Sequence, residues 1–294
     1  MESFKSSKCI GSLIHTGFYD KLVLIGFPYD EGAKTAVLRQ GASYGPDCFR
    51  RFLHKVGPVK NAEYGIDLSA LSMCDYGNIS AASIAACYEK LSAKLRLTMG
   101  RGQTTFVVGG TRDLVPYCAE AVLEYSKDVK KDIKEGKDAA PDFPEIKPQQ
   151  EVKESEPEPP KEEKKMLESH KILFISVSPI IETEPNVQLQ DPKMIWRRVL
   201  ENPAFSKLGS KIVAFGTSST CDKENYDYFT EKGGSVVWLQ DVRGSKITGD
   251  AKHVAQTQAG LFFEELLGKS AEEYENVYVS FNLESILVRN SRVI

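Results

Sequence analysis

The sequence predicts one α/β domain in three layers, with helices covering both faces of a parallel sheet. Three observations carry this. Short apolar, β-branched runs recur along the 294 residues. Stretches with helical character alternate with them. The runs are also continuous in apolar character rather than alternating, as strands buried on both faces are.

The runs are "KLVLIGF" (21–27), "TTFVVGG" (104–110), "KILFISVS" (171–178), "KIVAFGT" (211–217), "SVVWLQDV" (235–242) and "NVYVSFNLE" (276–284). Between them, 45–56 reads as a helix opened by Pro46, whose fixed φ suits a first helical position. Residues 80–100 read as a helix capped by Ser80 and closed at Gly100, and 250–268 as one running from Asp250 to Gly268. A further helix spans about 113–126. In open parallel sheets, ligands sit outside the carboxyl ends of the strands. The loops at 107–113, 176–185 and 280–284 are therefore the places to look for chemistry.

One stretch breaks the rhythm. From about 127 to 168 the chain is rich in Pro, Glu and Lys and almost free of large apolar residues. Such a segment cannot bury enough surface to offset its ordering entropy, so a disordered insertion within the single domain (1–294) is expected. A docking segment for a protein partner is its functional alternative.

Composition closes off several classes. A hydrophobic content of 41% and a charged content of 27% are those of a water-soluble globular chain. A net charge of −3 argues against nucleic acid as a partner, because phosphate binding needs clustered Lys and Arg. Apolar runs are strand-sized, which argues against a membrane span, and the first residues lack the apolar core of a signal peptide. The six cysteines (9, 48, 74, 87, 118 and 221) form no CxxC pair, so reduced thiols and a cytoplasmic location are expected. Cys87 and Cys118 lie in helical patterns and read as packed thiols, and Trp196 and Trp238 as core anchors. Gly109-Gly110 reads as a tight strand-to-helix turn, and the spacing of a phosphate-binding P-loop is absent.

Taken together, the motifs at the strand ends resemble the arginase, agmatinase and formiminoglutamase superfamily, and most nearly the degenerate arginase-like proteins of trypanosomatids. "GFPYDEGAKTAVLRQGASYGPDCFRRFL" (26–53) resembles its amino-terminal region, with Gly45, Pro46 and Arg50 in place. "CDYGNI" (74–79) resembles its Asp-x-Gly-Asp stretch, and "VVGGTRD" (107–113) stands where it has Gly-Gly-Asp-His-Ser. "SVSPIIETEP" (176–185) stands for Asp-Ala-His-x-Asp-x-Arg-Pro, and "SFNLE" (280–284) for Ser-x-Asp-x-Asp. The ordered set carries the resemblance; "SFNLE" alone would be an ordinary strand end.

The resemblance implies an arginase-type fold, a homotrimer and a binuclear Mn²⁺ centre that hydrolyses a guanidino or formimino C–N bond. It also implies a sheet that continues beyond the last motif, so the carboxyl-terminal part is expected to be missing or incomplete. Carried over residue by residue, the metal-ligand positions are Arg112, Ser178, Ile180, Glu182, Asn282 and Glu284. None keeps the family residue. Four family aspartates would set −4 against two divalent ions, whereas Glu182, Glu284 and Arg112 sum to −1. A cation about 4 Å from another costs roughly 4 kcal/mol at a surface-like dielectric. The four histidines (15, 54, 170 and 253) all lie outside the motifs.

The reading is therefore a pseudoenzyme with no catalytic residues, no metal and no cofactor, serving as a binding or regulatory protein. Arg112 is expected to take part of the metal space by pairing with at least one of Glu182, Glu184 and Glu284. Two alternatives remain. One is an active Mn-dependent ureohydrolase; the other is a scaffold subunit acting through residues 127–168.

Overall fold

The computed structural model describes residues 9–17, 19–55, 59–61, 66–134, 170–185, 191–218, 221–243, 262–269 and 272–282. Its strands are β1 (Ile14–Thr16), β2 (Leu22–Phe27), β3 (Lys60–Asn61), β4 (Ile66–Asp67), β5 (Met73–Asn78), β6 (Thr104–Gly109), β7 (Ile172–Val177), β8 (Lys211–Thr217), β9 (Gly234–Trp238) and β10 (Asn276–Phe281). Two four-stranded sheets hold all but β3 and β4, in the orders β1-β5-β2-β6 and β10-β7-β8-β9. Every pairing in these two sheets is parallel. The runs "VLIGF" and "ILFIS" supply the two centres. Val23, Ile25, Ile172, Phe174 and Ile175 are fully buried, each contributing about 1.5–3 kcal/mol by leaving water.

The helices are α1 (Glu31–Thr35), α2 (Gly45–Leu53), α3 (Ile84–Gly100), α4 (Val115–Lys134), α5 (Ile195–Glu201), α6 (Pro203–Leu208), α7 (Lys223–Glu231) and α8 (Leu239–Arg243). Residues 262–269 are also helical. With helices flanking parallel sheets, the molecule has the three-layer α/β architecture expected. Helix α4 binds the two sheets together. Its Ala119, Val122 and Leu123 pack with Phe174, Trp196 and Phe205 of the second half, and its Cys118 and Ala121 pack with Val23, Ile25 and Leu91 of the first. Tyr278 of β10 packs against both clusters.

Several boundaries differ from the sequence reading. The cap of α3 is Ser83, not Ser80. Ser83 is extended and its hydroxyl accepts from the Ala86 amide at 3.2 Å, while Ser80 offers its carbonyl to Lys90 at 2.9 Å. The run at 235–242 is strand only to Trp238. Residues 239–243 wind into α8, which turns Val242 into a core it would miss in extended form. Of the run at 276–284, Asn276–Phe281 is strand, and residues 283 and 284 lie outside the described residues. Helix α4 continues to Lys134, so 127–134 are helical rather than disordered; their Lys, Asp and Val residues carry on a helix that begins in the core. Residues 135–169, and 250–261 of the helix expected at 250–268, lie outside the described residues. Strands β1 and β5 and helices α5 to α7 have no counterpart in that reading, because each is short or half polar. No helix among the described residues is long and apolar enough to cross a membrane.

Candidate functional site

The carboxyl ends of β6, β7 and β10 meet at one polar cluster. Strand β6 leads into it through Gly109-Gly110. A Cβ on Gly110 would stand 1.9 Å from the Tyr29 carbonyl oxygen, so only glycine lets the two backbones approach there. The turn hands over to a short 3₁₀ stretch, Arg112–Leu114, that opens into α4. Asp113 faces inward, nearly fully buried, and accepts from the Tyr88 and Thr111 hydroxyls. Burial pushes its carboxyl above the ordinary aspartate range, even though these hydrogen bonds pull the other way.

Arg112 leaves the same turn in another direction and spans the two sheets. Its Nη1 pairs with Glu182 Oε1, beyond the end of β7, and its Nη2 donates to the Ser280 hydroxyl of β10 at 3.1 Å. The Arg112 side chain is 15% exposed and that of Glu182 only 3%. Glu182 is fixed by its own backbone, since its carbonyl accepts from the Trp196 amide at 2.9 Å near the start of α5. Trp196 is held in turn by an indole N–H donated to Ser176 of β7 at 2.8 Å.

Ser178 is fully buried. Its hydroxyl accepts from the Asn282 side-chain amide and the Ile180 backbone amide, each at 3.4 Å. Its carbonyl accepts from the Thr217 hydroxyl at 3.3 Å. Asn282 donates its backbone amide to the Val177 carbonyl at 2.9 Å, extending the β10–β7 ladder by one step. Ile180 is 41% exposed, with its apolar side chain turned towards solvent.

The structure thus brings Arg112 to Glu182 and Asn282 to Ser178, with Ser280 as a further partner for the guanidinium. It does not bring Glu184 to Arg112. Glu184 pairs instead with Lys193 at 3.7 Å, and its amide donates to the Lys193 carbonyl at 3.0 Å. Its outward position two residues past Glu182 makes that the nearer cation. Glu284 lies outside the described residues. Among the described residues, no three His, Cys, Asp or Glu side chains come together closely enough to share a metal ion.

A second cluster sits at the carboxyl ends of β2 and β5. Arg50 of α2 holds Asp75 with two bonds, at 2.5 and 2.9 Å, and donates to Asn78 at 2.6 Å. Asp47, one turn earlier in α2, accepts from Arg50 and Asn78. Behind both clusters, Arg198 of α5 makes a bidentate pair with Glu120 of α4 at 2.6 and 2.7 Å and stacks 4.1 Å over Tyr117. Tyr117 stacks on Tyr88, the donor to Asp113. Sequence reading misses Ser280 as a partner of Arg112, and it misses this stack altogether. Their signal is long-range: 168 residues separate Arg112 from Ser280.

The comparisons with known proteins agree with the fold. The sequence pattern of the Arginase family matches residues 20–130. No curated protein matches the chain. A variant of Trypanosoma cruzi formiminoglutamase solved with Mn²⁺ is 25% identical, with 95% of this chain and 76% of that one covered at a TM-score of 0.68. An arginase superfamily protein from the same organism is 26% identical, covering 86% of this chain and 72% of that one at a TM-score of 0.60. The formimidoylglutamase of Bacillus subtilis shares only the fold, at 11% identity and a TM-score of 0.62 over 94% of this chain and 70% of that one. Over residues 20–130 the chain matches the Arginase family, and its architecture is the three-layer arginase-type fold of these structures.

Proposed function

We propose that this chain is an arginase-type pseudoenzyme, without a binuclear Mn²⁺ centre or ureohydrolase activity, that acts as a binding or regulatory protein. One observation carries the reading: the Arg112 guanidinium is bonded to Glu182, at positions where the resemblance calls for two metal ligands. A pair of hard divalent ions needs several carboxylates and imidazoles converging on shared space. At these positions the chain offers a guanidinium, a buried hydroxyl, an aliphatic side chain, an amide and one described carboxylate that is already engaged. That donor set does not fit two Mn²⁺ ions.

The residues present instead suit a fixed, closed seam. The Arg112 fork bonds one oxygen of Glu182 and the Ser280 hydroxyl, and Asn282 donates to Ser178. The sequence likeness to Mn²⁺-bearing formiminoglutamase favours the competing reading of an active enzyme. Elemental analysis after incubation with Mn²⁺, beside assays on arginine, agmatine and a formimino substrate, separates the two. We expect substoichiometric metal and no hydrolysis above a metal-free control. One or more ions per chain, or turnover of any of these substrates, overturns the pseudoenzyme.

A complementary experiment puts the ligands back. Arg112→His, Ser178→Asp, Ile180→His, Glu182→Asp, Asn282→Asp and Glu284→Asp together should create Mn²⁺ binding if the strand ends still converge as the family requires. Absence of binding in a variant with an unchanged circular dichroism spectrum would mean that the loops have moved as well as changed. By the same resemblance we propose a cytoplasmic homotrimer, tested by light scattering at micromolar concentration, where a monomer would refute it. Residues 127–168 are its proposed contact for a protein partner. Pull-downs with and without that segment test the contact, and equal recovery would exclude it.

A further inference from the structure

The amino ends of β7, β8 and β9 carry an open cavity of about 370 Å³, at the opposite edge of the sheet from Arg112 and Glu182. Strand alternation supplies its floor. Leu173 of β7, Lys211 and Val213 of β8 and Ser235 of β9 all lie on the face where the helix at 262–269 packs. Phe263 of that helix meets Phe215, late in β8, so its other end lies over the strand starts. There Leu266 forms one wall of the cavity, and Tyr274, on the way into β10, forms another. The volume falls within the roughly 300–1,000 Å³ of small-molecule sites.

The charges at the rim decide what the cavity suits. Lys269 pairs with Glu265 at 2.5 Å, and Glu273 pairs with Lys171 at 3.3 Å. Lys211 has no carboxylate partner among the described residues. Its ammonium lies beside Gly233, where an added Cβ would stand 3.7 Å from Nζ, so the charge sits at the lip of the apolar floor. A cationic ligand would meet Lys211 and find the rim acids already engaged. A neutral apolar ligand would leave the ammonium idle. We propose that this cavity binds a small organic anion, an alkyl or aryl carboxylate. Its body lies against Leu173, Val213 and Leu266, where it leaves water, and its carboxylate meets Lys211 in a charge-assisted hydrogen bond. The site is remote from Arg112, Ser178 and Glu182, so it stands whether or not the chain holds Mn²⁺.

Octanoate serves as the probe, with octanamide as its neutral counterpart. Titration calorimetry on the full chain should show saturable octanoate binding with a dissociation constant of about 1 mM or tighter, and octanamide at least about 10-fold weaker. Lys211→Glu should weaken octanoate at least about 10-fold, whereas Lys207→Glu, the same charge change on α6, should alter it less than about twofold. Ser235→Trp fills the cavity from β9 and should abolish binding. Labelling of the unaltered protein covers the case of a variant that fails to fold. An octanoate analogue with a diazirine in its tail, photolysed and mapped by peptide, should mark the stretches around Leu173, Val213 and Leu266. Label confined to other stretches overturns the proposal. So does a lack of saturation, equal affinity for octanamide, or an unchanged affinity in folded Lys211→Glu or Ser235→Trp protein.

Discussion

Two arginine–carboxylate pairs at the strand ends use the same chemistry in opposite settings. Arg50 and Asp75 lie within one sheet half, 19% and 21% exposed, with Asn78 and Asp47 sharing the charge. Arg112 and Glu182 join the two halves, and Glu182 is closed off from water. The first pair is held by local geometry, since α2 follows β2 and lies above β5. The second depends on the whole fold, because its partners come from β6, β7 and β10. Water screens the first pair and lowers its net worth, whereas breaking the second takes a cation from a carboxylate that water hardly reaches. The lesson is one of position: the same ion pair is a trim at one strand end and a clasp at another.

Substitutions can break or sharpen this contrast, and the largest effect is expected at the clasp. Arg112→Ala takes the guanidinium away from the buried Glu182 carboxylate and should cost about 3 kcal/mol or more in urea unfolding. A double Arg112→Met, Glu182→Met variant should recover most of that loss, because an apolar pair removes the buried carboxylate along with its cation. A recovery of nothing would mean that Arg112 works through Ser280 rather than through Glu182. Next comes Arg198→Ala, which removes the bidentate bond to Glu120 and the stack on Tyr117, at about 2 kcal/mol by the same measurement. An effect equal to that of a surface lysine would reject the stack as a support for α4.

Asp113 gives a smaller effect with a definite sign. Burial raises its folded-state pKa above the unfolded value, so its contribution is fully favourable below the unfolded pKa of about 4. It is lost as pH rises through the raised folded value. Asp113→Asn should flatten the fall in unfolding free energy over that interval, and an unchanged pH profile would assign the slope to other groups. The smallest change is expected at Arg50→Ala, about 1 kcal/mol or less, shrinking further in high salt because both side chains are about a fifth exposed, against 3% for Glu182. A loss as large as that of Arg112→Ala would erase the distinction between the two pairs.

The strands richest in branched residues were legible without coordinates, since runs such as "KILFISVS" and "KIVAFGT" have no stable place except a buried parallel strand. Strand β5, "MCDYGN", was not, because half of its residues are polar and its stability comes from lying between β1 and β2. The run at 235–242 misled for a related reason. Its apolar content is compatible with strand or helix, and packing of Val242 chose helix after Trp238. At the candidate site, the order of the motifs marked Arg112, Ser178, Glu182 and Asn282 as residues of one strand-end cluster. Which of them touch was not legible, and Glu184 looked as able to reach Arg112 as Glu182 does.

The sequence by itself determined the class of the fold, the identity of the side chains offered at the strand ends and the low count of metal-binding groups among them. These follow from residue type and local period, which do not depend on distant neighbours. Only the tertiary structure decided that Arg112 takes Glu182 and Ser280 while Glu184 turns to Lys193. It alone revealed the seam between the two half-sheets and the stack from Asp113 to Arg198. Such choices turn on a few ångströms of approach between segments tens of residues or more apart in sequence. The free energy that selects them comes from burial, which no local pattern records.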